Sequence, residues 1–496
     1  MDMDREHRGN GLKPYWYRID RLDRLLWISK SVAFTGLLIF SATLQFWRLP
    51  AIAAVVDVLS FLSWMLALKE SDKTSRTVSL VLVAVGTVLF VSTGASALQA
   101  VSAFSENTQV LMVMVLVPLL GTVIEVGGYS DSLSVVCQDL RDPLLLYFVA
   151  SLLAYTTGSV LLNGAIALVW AVMAPIVKRA AKDPDTLLAS SVPRGYNASL
   201  LWTPAGPPMA VALSLTGVSW GSVMCPGLLL SLVMLALATL VEIRNPAVVG
   251  KLEPSVSSLR TMTAAQQLVA DQNDAHRDKR EAWRRTGGLA LGLVSFIGAV
   301  VCLESLGLSP IQAMVVCIAI AVPAWSFLLH KPKQAAQACA SYVCRKIPDL
   351  SRQYLLMTTA GFIGTAVRLF INSRASDGIA SGPAWLDGDH VFLFTLLTSA
   401  AIWLISIMGI HPLIGMTIVY SLISPLAPVY SQRHVALTLL LGSVLGFNIS
   451  PVSATMLVTS SCCGKNTFDT GVKLQWRFVL SMWVTGSLVL SLLLRV

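Results

Sequence analysis

Gly121-Thr122-Val123-Ile124-Glu125 and Gly364-Thr365-Ala366-Val367-Arg368 are two copies of one pattern, each set in an apolar stretch. Further along each half, Thr203-Pro204-Ala205-Gly206-Pro207-Pro208 is answered by Asn448-Ile449-Ser450-Pro451. A strongly apolar chain that breaks its helices at matching places in two halves has the signature of a secondary transporter, whose substrate site lies between the halves. The repeat therefore predicts both a fold and a kind of function.

Working outward, the 496 residues are 55% apolar and only 13% charged, with a mean hydropathy of +0.70. That is too apolar for a water-soluble core, so the chain reads as an all-α polytopic membrane protein. Apolar stretches place spans near 27–46, 51–68, 77–97, 109–128, 188–216, 222–242, 287–303, 309–329, 353–371, 436–459 and 475–494. These amount to about 11 transmembrane helices. Two interrupted stretches, 143–177 and 391–430, carry turn chemistry in their middles: Tyr155-Thr156-Thr157-Gly158-Ser159 and Met408-Gly409-Ile410-His411-Pro412. Each reads as a re-entrant hairpin, because an arm of about a dozen residues is short for a full span.

The net charge of +9 does not point to nucleic acid, because Lys and Arg are confined to short loops. If both interrupted stretches return to the side they entered, the loops 1–26, 69–76, 129–142, 177–194, 243–286, 330–352 and 460–477 share one side. They hold 30 of the 36 Lys and Arg, which makes that side cytosolic. The predicted layout is a plasma-membrane protein with a cytosolic N-terminus and an external C-terminus. Charge fixes the sidedness but does not distinguish a hairpin from two crossings. Because 109–128 and 353–371 then run in opposite directions, the halves form an inverted repeat.

The expected organisation is 1–50 as a cytosolic basic N-terminus with the first span, and 51–242 as the first inverted repeat with its hairpin near 143–177. A cytosolic linker, 243–286, leads to the second repeat, 287–496, with its hairpin near 391–430. The polar run from Gln266 to Arg285 reads as a surface helix or as disordered chain.

Irregular backbone at membrane depth survives only where protein or a water-filled cavity satisfies it. Tips over Thr156 to Asn163 (Thr156, Thr157, Gly158, Ser159, Asn163) and around His411 and Pro412 would expose helix N-termini suited to an anion. Unwound segments contributing Asn197, Thr203, Pro204, Gly206, Asn448, Ser450 and Ser453 would offer carbonyls and hydroxyls suited to a cation such as sodium. Glu125 and Arg368 occupy equivalent repeat positions. A charge at membrane depth costs on the order of 2.5–3.5 kcal/mol, so they are either substrate or coupling groups, a mutual ion pair, or side chains reaching the interface. Asp57 reads as structural. His411 is placed to couple transport to protons, or is simply a hydrogen-bonding loop residue.

The eight cysteines form no CxxC pair, so neither zinc nor a disulfide framework is indicated. Cys462-Cys463 is either a soft-metalloid site or an ordinary helix end. Walker-type and HExxH patterns are absent from the sequence, which leaves an ATP-driven pump without a motif. No cofactor is expected beyond a coupling sodium ion or proton. The partners expected are the bilayer and a small solute, with no nucleic acid.

Thr157 to Asn163 with Pro175, and Trp202-Thr203-Pro204-Ala205-Gly206-Pro207-Pro208, resemble the ion transporter superfamily, which includes divalent anion/sodium symporters and arsenite permeases. The resemblance implies eleven spans, two opposed hairpins and an inverted repeat, together with alternating-access transport of a small anionic solute such as a carboxylate or inorganic anion. An arsenite-type or other efflux permease is the alternative on the same fold. The resemblance also implies a scaffold that often dimerises, so a homodimer is among the expected partners. Symporters of that group carry Ser-Asn-Thr at each tip, whereas this chain has Thr157-Gly158-Ser159 and His411-Pro412-Leu413. Met209 follows Pro208 where those symporters have Asn, and the second segment reads Ser450-Pro451-Val452-Ser453.

Overall fold

In a computed structural model, residues 21–127, 140–162, 164–204, 206–243, 245, 248, 250, 272–374, 390–424 and 430–493 are described. Their regular elements are all helical, and eight of the helices are long and apolar enough to cross a membrane. The protein is an all-α, multi-pass membrane protein. Eight of the eleven expected spans coincide with these helices. The other three, 188–216, 287–303 and 353–371, are helical but are broken, shorter or more polar.

The first half contains α1 (Arg21–Phe46), α2 (Pro50–Glu70), α3 (Lys73–Ser92), α4 (Ala97–Ser102), α5 (Thr108–Gly127), α6 (Pro143–Leu161), α7 (Gly164–Val177), α8 (Pro184–Ser199), α9 (Pro207–Thr216) and α10 (Trp220–Glu242). The second contains α11 (Gln272–Ser305), α12 (Pro310–Leu328), α13 (Pro332–Ser341), α14 (Ser351–Arg374), α15 (Val391–Ile407), α16 (Pro412–Ile423), α17 (Gln432–Ile449), α18 (Ala454–Cys463) and α19 (Leu474–Leu493). Proline repeatedly opens a helix, as at Pro143, Pro184, Pro207 and Pro412. Its missing N–H falls where no intrahelical acceptor exists anyway. Asp142, Asp183, Ser431 and Ser453 cap the neighbouring N–H groups.

Both expected helix breaks near the middle of the chain's site are present. Pro204, Pro207 and Pro208 remove donors after Ser199, so the backbone is non-helical between α8 and α9. Ser450 precedes Pro451 and takes φ −70°, ψ 125°, as the pre-proline clash requires. The second hairpin turns where expected, with Gly409 at φ +96°.

The first hairpin turns at the far end of the expected tip, Thr156 to Asn163. Tyr155 to Ser159 lies inside α6, and the chain turns at Leu162, with φ 51°. The Thr156, Thr157 and Ser159 hydroxyls donate to carbonyls of their own helix, a back-bonding that keeps turn-forming residues helical. Gly158 serves close approach instead: a Cβ there would lie 2.8 Å from the Tyr196 ring. With 19 residues, α6 is about 28 Å long, and α15, with 17, also reaches the range for a span, so the short-arm argument holds for α7 and α16 but not for α6 or α15. The polar run before the second half is helical from Gln272 onward, continuous with α11. The rest of that linker, 251–271, lies outside the described residues.

The same packing occurs twice. The hairpin α6–α7 packs on α8, and α15–α16 packs on α17, with α10 and α19 completing each group. A Cβ on Gly195 would stand 2.0 Å from the Ser151 carbonyl oxygen, and one on Gly442 would stand 2.9 Å from that of Ser399. The two groups interlock crosswise, α9 against α16 and α17, and α18 against α7 and α8. Around them, α14 packs on α2 and α3, while α5 packs on α12 and α13.

Candidate functional site

Each hairpin is fastened to the broken helix beside it by a hydroxyl. Thr203 Oγ1 donates to the Ser159 carbonyl at 3.0 Å, and Ser450 Oγ donates to the Ser406 carbonyl at 2.8 Å. In both pairs the partners are 44 positions apart. Gly446 makes room for the second contact, since a Cβ there would be 2.8 Å from Ser406 Oγ and 3.2 Å from Pro412.

The two broken helices meet through Asn197, whose Oδ1 accepts from Thr455 Oγ1 at 3.1 Å. That bond assigns Nδ2 as the free end of the amide, and Nδ2 is buried without a partner. Asn448 is the reverse case. Its Nδ2 donates to the Val444 carbonyl at 2.9 Å, and its Oδ1 is buried without a partner. A buried unmade hydrogen bond costs about 1–3 kcal/mol. One donor and one acceptor beside the two helix breaks therefore suit a polar ligand.

Several other sequence candidates have structural partners. Ser453 Oγ donates to the Phe447 carbonyl and caps α18. Pro204 and Gly206 are buried in the first unwound segment. Thr156 is exposed on α6, away from any tip, and Thr157 is bound to its own helix. Asn163, Ala205 and the Glu125 side chain lie outside the described residues. Arg368 pairs with Glu106 at 2.9 Å, both partly exposed. Glu106 precedes the start of α5, the helix that carries position 125 near its other end. Asp57 accepts from Ser105, which fits a structural role. Cys462 and Cys463 end α18 before the left-handed cap at Gly464, and Cys463 Sγ donates to the Ser460 carbonyl.

His411 is 6% exposed and caps α16, its Nδ1 accepting from Leu413 N at 3.4 Å. Its ring meets Phe447 edge-on. Beside it lies Arg352, which sequence reading counted only as a loop charge. Arg352 Nη2 donates to the Val452 carbonyl in the second unwound segment at 2.5 Å. Its Nε lies 3.7 Å from Asp72. Burial opposes the charge on Asp72, but hydrogen bonds from Ser75 and the Arg352 charge outweigh it and hold the carboxyl below its usual value.

Arg194 is the other cation read as a loop charge, and it proves to be 1% exposed inside α8. It donates to Glu242 at 2.6 Å, to the Tyr147 hydroxyl at 2.9 Å and to Gln475 at 2.7 Å, joining α6, α8, α10 and α19. Only the polar neighbourhood of Glu242 and Gln475 in otherwise apolar spans hinted at this from sequence.

No known family model matches the chain. No curated protein matches it either. Among solved structures, the chain is similar to the YdaH transporter of Alcanivorax borkumensis, described as having an unusual topology. The two are 18% identical over 76% of this chain and 84% of that one, with a TM-score of 0.43. At that level the likeness assigns neither family nor function.

Proposed function

We propose that the protein is a secondary active transporter moving a small anionic solute, a carboxylate or inorganic anion, across the plasma membrane by alternating access coupled to sodium or protons. The observation that carries this reading is the pair of unpartnered buried amide atoms, Asn197 Nδ2 and Asn448 Oδ1, beside two helix breaks that are each clasped to a hairpin. The donor suits an anionic oxygen. The acceptor suits a cation or a protonated group.

On this reading each packed group belongs to one half of an inverted repeat, 51–242 and 287–496, and the two groups move together against α2, α3, α5, α12 and α14. The concentration of Lys and Arg in one set of loops supports a cytosolic N-terminus.

The test is uptake into proteoliposomes of radiolabelled succinate, sulfate and phosphate under sodium or proton gradients. Gradient-dependent uptake that is lost in Asn197→Leu and Asn448→Leu supports the reading. Uptake of none of them under either gradient overturns it.

A further inference from the structure

A small cavity of about 10 Å³, room for roughly one water-sized particle, lies between Ser75, Val78, Arg352, Leu356, Gly409, His411 and Val452. Three features of this cavity favour negative charge. The first is the Arg352 guanidinium, which has five donors in a fixed fork. Nη2 holds the Val452 carbonyl and Nε faces Asp72, but no hydrogen bond from Nη1 is formed among the described residues. The second is the N-terminal end of α16, a 12-residue helix whose positive end opens beside the cavity. The third is His411 itself, 94% buried by the same measure that leaves it 6% exposed. With Nδ1 accepting from Leu413, the ring proton belongs on Nε2, and Nε2 has no hydrogen-bond partner among the described residues.

Among the described residues Arg352 pairs with one carboxylate, Asp72, at 3.7 Å and about half exposed. At that distance and exposure it screens the guanidinium without saturating it.

We propose that Arg352, His411 and the N-terminal end of α16 form a subsite for one small anionic group, either one carboxylate end of the transported solute or a chloride ion. This rests on the transport reading for its role but not for its existence. It places anion recognition at the second hairpin, where Arg352 reaches across from α14 to the unwound segment. Asn197 and Asn448 are then left to hold the rest of the solute and the coupling ion.

The test is thermal unfolding of the purified protein in detergent at constant ionic strength. Chloride, acetate or succinate replaces isethionate, a sulfonate too bulky for the cavity. Saturable stabilisation is expected, with Arg352→Gln raising the half-saturating concentration about tenfold or more, as loss of a charge-assisted contact requires, and Arg352→Lys recovering part of it. Asp72→Asn removes the competing carboxylate and should lower the half-saturating concentration, which keeps the proposal testable if Arg352→Gln does not fold. Stabilisation by chloride alone identifies a halide site, whereas stabilisation by acetate and succinate identifies the solute's carboxylate. Wild-type melting unmoved by all three anions, an Arg352→Gln protein with wild-type half-saturation, or weaker binding in Asp72→Asn would overturn the subsite. Uptake measured on the same preparations separates the two ideas. Transport without an Arg352-dependent shift refutes only the subsite, and an Arg352-dependent shift without transport refutes only the transporter.

Discussion

Replacing Glu242 by Gln should cost more stability than removing Glu242 and Arg194 together. The Arg194 side chain is fully buried and that of Glu242 nearly so. Glu242→Gln keeps the shape of the side chain but strands a guanidinium whose other partners are neutral: the Tyr147 hydroxyl, Gln475 and the carbonyls of Ala238 and Leu474. The ring of Phe478, 4.6 Å from the guanidinium carbon, adds a weaker attraction. Removing one partner of a buried pair costs about 3–5 kcal/mol, because the survivor keeps its desolvation penalty. Arg194→Met is the mirror case, leaving Glu242 with the Asn245 Nδ2 donor at 2.5 Å among the described residues. The double variant Arg194→Met/Glu242→Leu has no charge to strand and should recover to within about 2 kcal/mol of wild type. Thermal unfolding of the four proteins in one detergent gives the cycle. A Glu242→Gln protein as stable as wild type, or a double variant whose loss equals the sum of the singles, would show that the cluster is not an electrostatic unit.

Asn197→Leu and Asn448→Leu should each leave the melting temperature close to that of wild type, within the equivalent of about 1 kcal/mol, because each removes one unmade hydrogen bond and one made bond, with Thr455 or the Val444 carbonyl, at similar volume. A fall of several degrees in both would show that the amides are structural. Gly364→Ala should destabilise the protein and impair uptake, since a Cβ at Gly364 would lie 2.5 Å from the methyl of Thr417, a stiff β-branched side chain held by its hydroxyl's bond to the Leu413 carbonyl; a variant with wild-type melting and normal uptake would count against this contact. Asp72 caps α3 through Ser75 N at 2.9 Å, so Asp72→Ala should cost about 1 kcal/mol at neutral pH. Its carboxyl is held below the usual value, so the contribution is present above the unfolded-state pKa and is lost as pH falls through the folded one. The gap between wild type and Asp72→Ala, followed by melting at successive pH values, should close only at the acidic end of the carboxylate range.

The helices and the two broken ones were legible because apolar length and proline act locally. Ser450 before Pro451 cannot continue α17 whatever surrounds it. The first hairpin turns at Leu162, inside the expected tip, but Thr156, Thr157, Gly158 and Ser159 have two uses, and sequence does not say which applies. Hydroxyls that make a turn in one setting back-bond to their helix in another, and a glycine that permits a turn also permits a neighbour's ring at 2.8 Å. Charge counting located the loops but misread Arg194, since a guanidinium looks the same in a loop as in a core that offers it Glu242, Tyr147 and Gln475. Asn197 and Asn448 were named from sequence as site residues, but only the packing shows which end of each amide is satisfied.

The repeat that opened the reading, Gly121-Thr122 and Gly364-Thr365, marks a contact more than a charge. Gly364 lies where α14 meets the second hairpin: Ser421 Oγ donates to its carbonyl at 3.2 Å, and the Thr417 methyl fills the space a side chain would take. Within each packed group the fit is of another kind, with the glycines at 195, 227, 442 and 471 set against backbone carbonyls. Backbone against backbone cannot slip without unmaking a helix, whereas a glycine facing a methyl and one hydroxyl can exchange one small partner for the next. If any part of this protein moves as a body, elementary packing places the moving boundary along α14, between Gly364 and the strut from Arg352 to Val452, and leaves the groups that hold Asn197 and Asn448 intact through the motion. That division is what a carrier requires: a site that keeps its shape while its surroundings change sides.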